Sequence, residues 1–308
     1  MNKNISDAGQ NAGKLSPKIH PVVIYPVVHP SDTTDLEELY RLMEKLAQTP
    51  EVYERPITVM DRKTFYADEW NTQFTNFRND VVAKHSTVLD AWCVDTCQMW
   101  YTGLGKAFES GSPADIYWLI PGDFNYGGLI GKEVLAKMPT LPQSLLNDGE
   151  DLCIGEVTVD VNSSKQLIDT YGTFALLYNW FPQEGQEIRK ATNRPRSEFF
   201  ALRHNFLKEV LQQRWFAYEQ TLVMLLQAFY TKRCVRRLPL GDISDLPQGK
   251  ESLPAAIAQV ERTERVLKQI WRDWNPPRKG WKDNYMALAH GSSRIRYAAI
   301  NTLARLLG

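Results

Sequence analysis

The chain has 308 residues, enough to bury a sizeable core as one large α/β domain or two small ones. Lysine plus arginine and aspartate plus glutamate both number 36, which excludes a surface that is wholly a nucleic-acid or membrane footprint and leaves room only for local basic patches. The four cysteines include one C-x3-C pair, Cys93 and Cys97, with no second Cys or His pair at zinc-ligand spacing, so they read as buried thiols of a reducing compartment.

Residues 1–18 are polar and read as a disordered tail without the apolar segment of a signal peptide. Val22–Val28 is a β-branched run that reads as a buried strand ending near Pro26. Ser31, Asp32, Thr33 and Thr34 offer N-caps to an amphipathic helix carrying Leu36, Leu39, Tyr40, Met43 and Leu46. Ile57–Met60 is a second strand, ending at Asp61. Residues 68–83 have helical spacing, and Val88–Val94 is a candidate third strand.

Cys97–Phe108 reads as helix or turn around Gly103 and Gly105, and Ile116–Ile120 as an apolar strand that delivers the tip Pro121-Gly122-Asp123-Phe124-Asn125. A helix over Leu129–Met138 ends at Pro139 and Pro142. Cys153–Val161 alternates as a strand, and Ser163 caps a helix running to Trp180. Gln183–Arg196 is polar and reads as a loop. Leu207–Tyr230 reads as a long helical region with a break near Trp215. Leu238–Pro254 reads as a linker, and two helices follow, over 255–274 and 285–307. The apolar runs are too short to span a bilayer, so a soluble, cytoplasmic protein is expected, with membrane contact at most peripheral.

Strands alternating with helices over the first 160 residues predict an α/β fold, with a mostly parallel sheet flanked by helices and a helical C-terminal extension. The order of four segments resembles the GT-A-fold glycosyltransferases of the family-2 type, which includes the dolichol-phosphate mannose synthases. They are IYPVVHPSDTTDLEELYRLMEKL (24–46), ITVMD (57–61), GLGKAFESG with DIYWLIPGDFNYG (103–127), and RPRSEFFALRHNFLKEVLQQRWFAYEQTLVMLLQA (194–228). The resemblance covers about residues 20–230. It implies a tail over 1–18, a nucleotide-sugar-binding catalytic domain over 19–235 and a helical extension over 236–308.

It also implies a transferase that moves a sugar from a nucleotide-diphosphate sugar to an acceptor hydroxyl, with no nucleic-acid partner. Pro26 and His29 would lie under the base and Asp61 near the base or ribose. Asp123 would be a metal ligand for Mg²⁺ or Mn²⁺, and Asn125 would orient the sugar. The family's D-x-D tip reads Pro121-Gly122-Asp123 here, so one carboxylate is missing and the metal expectation rests on Asp123. The alternative is a nucleotide-sugar-binding protein or inactive scaffold with a degraded acidic motif.

The residues carry both functional and ordinary readings. Gly103 and Gly105 permit close backbone approach with Lys106 reaching a phosphate, or they serve helix packing. Glu219, in an aromatic context, and Glu198 are candidates for the general base, since burial raises a carboxyl toward the working range. Each is equally an ordinary surface charge. Arg194, Arg196 and Arg203 can grip a diphosphate or an anionic acceptor. The basic cluster Lys232, Arg233, Arg236 and Arg237, and the Trp271, Trp274 and Trp281 group, suit either a membrane interface or a packed helix hairpin. The sugar, base, acceptor and oligomeric state are not legible.

Overall fold

The structure, a computed structural model, describes residues 16–25, 33–61, 75–91, 96–122, 124, 126–213, 219–244 and 252–307. Its strands are β1 (Ile19–Tyr25), β2 (Ile57–Asp61), β3 (Thr87–Ala91), β4 (Ile116–Pro121), β5 (Leu152–Thr158), β6 (Phe200–Arg203) and β7 (Val235–Asp242). They form one sheet in the order β3-β2-β1-β4-β6-β5-β7. β1, β2, β3 and β4 pair in parallel. β6 runs antiparallel to both β4 and β5, and β7 is parallel to β5. Every strand but β6 therefore ends at the same edge, and the segment entering β6 must arrive there.

The expected mostly parallel α/β sheet is present, and alternation explains it. On β4, Tyr117 and Leu119 enter one core, while Ile116, Trp118 and Ile120 enter the other. A strand covered on both faces is a continuous apolar run, which is what Ile116–Pro121 shows. Helices Thr33–Ala47, Leu129–Lys137 and Thr140–Asn147 cover one face with Leu39, Tyr40, Val134 and Leu141. Helices Thr96–Ser110, Phe174–Trp180 and Gln220–Tyr230 cover the other, joined by the C-terminal pair Leu253–Trp274 and Trp281–Leu307. Among the described residues no helix is long and apolar enough to cross a membrane.

Three sequence expectations need correction. The polar segment Gln183–Arg196 is a loop only after residue 191: its first part belongs to a helix, Pro182–Ala191, which has Pro182 in its first turn and buries only Gly185 and Ile188. The supposed linker from Leu238 begins inside β7, whose backbone pairs with β5 although its side chains are largely charged or small. Pro142 does not stop the chain after Met138; it lies in the short helix Thr140–Asn147. Of the two readings of Cys97–Phe108, helix or turn, the helix holds: Gly103 and Gly105 both lie within helix Thr96–Ser110. The break near Trp215 falls between helices His204–Leu211 and Gln220–Tyr230, with 214–218 outside the described residues.

Three of the four residues of the basic cluster after Tyr230 form ion pairs within the fold. Arg233 pairs with Asp151 and Glu209, Arg236 with Asp148 and Glu150, and Arg237 with Glu156. Trp271, Trp274 and Trp281 pack with Trp180, Phe181, Tyr230 and Tyr285, as a helix hairpin requires.

The two C-terminal helices are joined by a buried carboxylate. Glu264 accepts from Ser292 Oγ at 2.8 Å and pairs with Arg296 at 2.9 Å and Lys268 at 2.8 Å. Burial alone would raise this carboxyl, but the Lys268 and Ser292 hydrogen bonds and the two cations outweigh it and hold it below its ordinary value of 4.5. A depressed folded value stabilises above the unfolded value and is lost as pH falls through the folded one. Glu264→Gln is therefore expected to cost about 1–3 kcal/mol at neutral pH. The gap to the parent should close as pH drops below 4.5; urea unfolding across pH 3–7 checks both.

Candidate functional site

The segment that must reach the carboxyl edge is residues 192–199, and β5 fastens it there. Buried Glu156 accepts from the Thr192 hydroxyl and from the Asn193 backbone N–H at 3.0 Å. Thr192 Oγ1 in turn accepts the Arg194 N–H at 2.9 Å, and Ser197 Oγ donates to the Gly155 carbonyl at 2.6 Å. Gly155 allows this approach: a Cβ there would lie 2.9 Å from Phe199 Cβ and 2.5 Å from Leu240 Cδ1. A loop tied at Thr192, Asn193 and Ser197 presents Arg194, Arg196 and Glu198 in fixed positions.

These side chains line a cleft of about 560 Å³. Pro121 and Phe124 close it from the β4 tip, and Val157 and Val159 from β5. Ile243 after β7 and the first turns of helix Leu253–Trp274 complete it through Ala255, Ala258, Gln259 and Arg262. Its charged lining is Lys165, Arg194, Arg196 and Arg262 against Glu198. Cations outnumber the carboxylate four to one.

Two buried carboxylates stand behind that wall. Asp169 has no exposure; its Oδ1 accepts from Arg196 Nε at 2.8 Å, while its Oδ2 lies 3.2 Å from Arg194 Nε as an ion pair, with no hydrogen bond to either of those two atoms among the described residues. Glu219, also buried, meets Arg262 Nε at 3.4 Å, and its Oε2 has no hydrogen-bond partner among the described residues. Burial raises the Glu219 carboxyl above its ordinary 4.5, against the opposing charges of Arg262 and Arg196. Burial likewise lowers the Arg194 guanidinium below its ordinary value, with Asp169 opposing the shift and Arg196 adding to it.

The candidate residues do not all come together. Arg196 and Glu198 come together in the cleft. Glu219 does not line it but sits one side chain behind, on Arg262. Asp61 ends β2 at the shared carboxyl edge, beside Ala91 of β3. Pro26, His29, Asp123 and Asn125 lie outside the described residues, although Pro121 and Phe124 place the β4 tip at the cleft.

Gly103, Gly105 and Lys106 are not in the cleft wall. Gly103 faces Val22 and Val59 in the middle of β1 and β2, Gly105 has open space around it, and exposed Lys106 pairs with Glu109 at 3.0 Å. Arg203 is at the opposite edge, opposite Ile116 at the start of β4. There its guanidinium donates to the carbonyls of Leu145, Asp148 and Glu150, closing the end of helix Thr140–Asn147.

Lys165, Gln259 and Arg262 were missed because nothing local in the sequence brings them to residues 194–198. Asp169 and Glu156 were missed because a single charged residue inside a helix or strand gives no sign of its own burial.

Among the described residues no group of three or more His, Cys, Asp or Glu side chains is placed to hold a metal ion. A hard divalent cation needs several oxygen ligands, and the cleft's described lining supplies cations instead. The described residues do not fit a metal cage, and Asp123 is not among them.

No family model matches the chain, and no curated protein does. Solved structures do match. Glucosyl-3-phosphoglycerate synthase from Mycobacterium tuberculosis in complex with uridine diphosphate is 14% identical, with 85% of each chain covered and a TM-score of 0.59. The same enzyme with Mn²⁺, uridine diphosphate and phosphoglyceric acid is 14% identical, with 90% of this chain and 87% of that one covered and a TM-score of 0.58. A mycobacterial protein is 15% identical, with 86% and 77% covered and a TM-score of 0.57. At that identity the likeness shows the fold, a GT-A glycosyltransferase fold.

Proposed function

We infer that the protein is a glycosyltransferase that moves a sugar from a nucleotide-diphosphate sugar to an acceptor hydroxyl. The observation that carries this reading is the cation-lined cleft at the carboxyl edge of a GT-A sheet, with Glu198 in its wall. Ligands of open α/β sheets bind at that edge. Breaking the bond between the sugar and the diphosphate leaves negative charge on the leaving phosphates, and fixed guanidinium groups stabilise that charge.

Arg194, Arg196, Lys165 and Arg262 are the groups for that task. Glu198 takes the proton from the acceptor hydroxyl as general base, and Glu219 orients Arg262. Pro26, His29 and Asp61 belong to the nucleotide half of the edge, and Asp123 and Asn125 to the sugar. The shared fold supports the transferase part of the resemblance and not a mannose-synthase specificity. Glucosyl-3-phosphoglycerate synthase has been solved with uridine diphosphate and with Mn²⁺ or Mg²⁺, which supports the donor class and a divalent cation beside the donor, for which Asp123 is our candidate ligand.

Thermal unfolding with a panel of UDP- and GDP-sugars, with and without Mn²⁺ or Mg²⁺, tests the reading. A donor at a hundred times its Kd should add about 2.7 kcal/mol of stability, and the same donor should release nucleotide diphosphate in the presence of an acceptor. No stabilisation by any nucleotide sugar sinks it. Binding without release, unchanged in Asp123→Ala, assigns the protein to the alternative of a nucleotide-sugar-binding scaffold, which the missing carboxylate at Pro121 favours.

A further inference from the structure

Asp169 interrupts the helical run that Ser163 caps. It lies in the π-helical segment Ile168–Thr173, between helices Ser164–Leu167 and Phe174–Trp180. One extra residue in a helical turn commonly marks a site where a side chain has been re-aimed. Gly172 of the same segment presses on Val260, where a Cβ would lie 2.7 Å from Cγ2. That contact locks the segment to the helix that also supplies Gln259 and Arg262 to the cleft.

The Asp169 carboxylate is fully buried between two guanidinium groups: Oδ1 accepts a hydrogen bond from Arg196 Nε, and Oδ2 faces Arg194 Nε as a close ion pair, each at the inner corner of the fork. Arg196 Nη1 donates to Gln259 Oε1, and Thr173 Oγ1 reaches Asp169 Oδ1 at 3.4 Å. Two arginines two residues apart would repel and splay without a shared anion between them.

We propose that Asp169 is a positioning residue that clamps Arg194 and Arg196 side by side, so that the cleft wall presents them as one prebuilt anion-binding pair. This rests on the transferase reading only for the identity of the anion. The local net charge of the trio is positive, so a bound phosphate group meets one surplus charge and two oriented forks.

The test uses the full chain and inorganic pyrophosphate as probe, with calorimetry for affinity. Asp169→Asn keeps the shape and removes the charge. Clamping predicts that its pyrophosphate Kd rises at least about tenfold, although the wall has become more positive. Gly103→Ala, which overpacks a helix against the sheet away from the cleft and leaves all three charges, should lose stability and keep its Kd. A Kd that is unchanged or lower in Asp169→Asn overturns the proposal, as does a parent chain that does not bind pyrophosphate.

If Asp169→Asn does not fold, Arg194→Lys and Arg196→Lys decide. Each keeps a cation facing Asp169 but loses the fork, so Kd must rise in both, and an unchanged Kd overturns the clamp. With a donor in hand, KM for the donor should rise in Asp169→Asn more than kcat falls, a split that a fold brace alone would not give. A parent that binds pyrophosphate but no nucleotide sugar sinks the transferase reading and leaves the clamp. A parent that transfers sugar while Asp169→Asn keeps its KM does the reverse.

Discussion

Replacing Glu198 by glutamine is expected to lower sugar transfer by about 10²–10⁴-fold, the usual contribution of a general base, with donor Kd changed by no more than about twofold. Glu198 is the one carboxylate among the described residues that line the cleft. Its backbone is held between Ser197, bonded to the Gly155 carbonyl, and Phe199, packed against Gly155. A base must reach the acceptor proton, and geometry decides this before acidity does. Glu219 has the raised carboxyl that suits a base, but it lies behind Arg262 and is about 1% exposed. Glu219→Gln should therefore act through Arg262, raising donor KM with a smaller loss in kcat. Initial rates and calorimetry on both variants decide the assignment. A Glu198→Gln enzyme with parental kcat would remove Glu198 from the chemistry.

The parts of the fold legible in the sequence were those dictated locally. Ile116–Pro121 is apolar at every position because both faces of β4 are covered. The C-terminal helices show their apolar spacing and keep it. What was hidden depends on contacts distant in sequence. β7 reads VRRLPLGD, a poor strand by composition, and is made one by pairing with β5 some 80 residues away. The antiparallel insertion of β6 between β4 and β5 has no local signature at all.

The same division runs through the site. Arg194, Arg196 and Glu198 stand out as charges in one short segment. Asp169, which the two arginines share, looks like any polar helix residue until burial is known. Lys106 shows the converse: beside two glycines it looked like a phosphate ligand, but its helix turns it outward to Glu109.

The two glycines of that helix should respond in opposite directions to the same substitution. At Gly103 a Cβ would stand 2.5 Å from Val22 Cγ1 and 2.8 Å from Val59 Cγ2. Both neighbours are β-branched side chains fixed on buried strands, which cannot swing away as the tip of a lysine would. Gly103→Ala is expected to cost about 1–3 kcal/mol by overpacking, and Gly103→Val more. At Gly105 nothing lies within 4 Å, and the residue sits in the body of helix Thr96–Ser110. Gly105→Ala there gains about 0.5–1 kcal/mol, since alanine loses less backbone entropy in a helix.

Urea midpoints of the two variants measure this directly. Neither substitution should move donor KM, because Gly103 faces the middle of β1 and β2 and not the carboxyl edge where the cleft lies. A phosphate-cradling G-x-G would behave otherwise: both alanines would raise KM, and Gly105→Ala would bring no gain. The signs of the two stability changes, taken with KM, therefore separate a glycine that lets a helix approach a sheet from one that lets a backbone approach a phosphate.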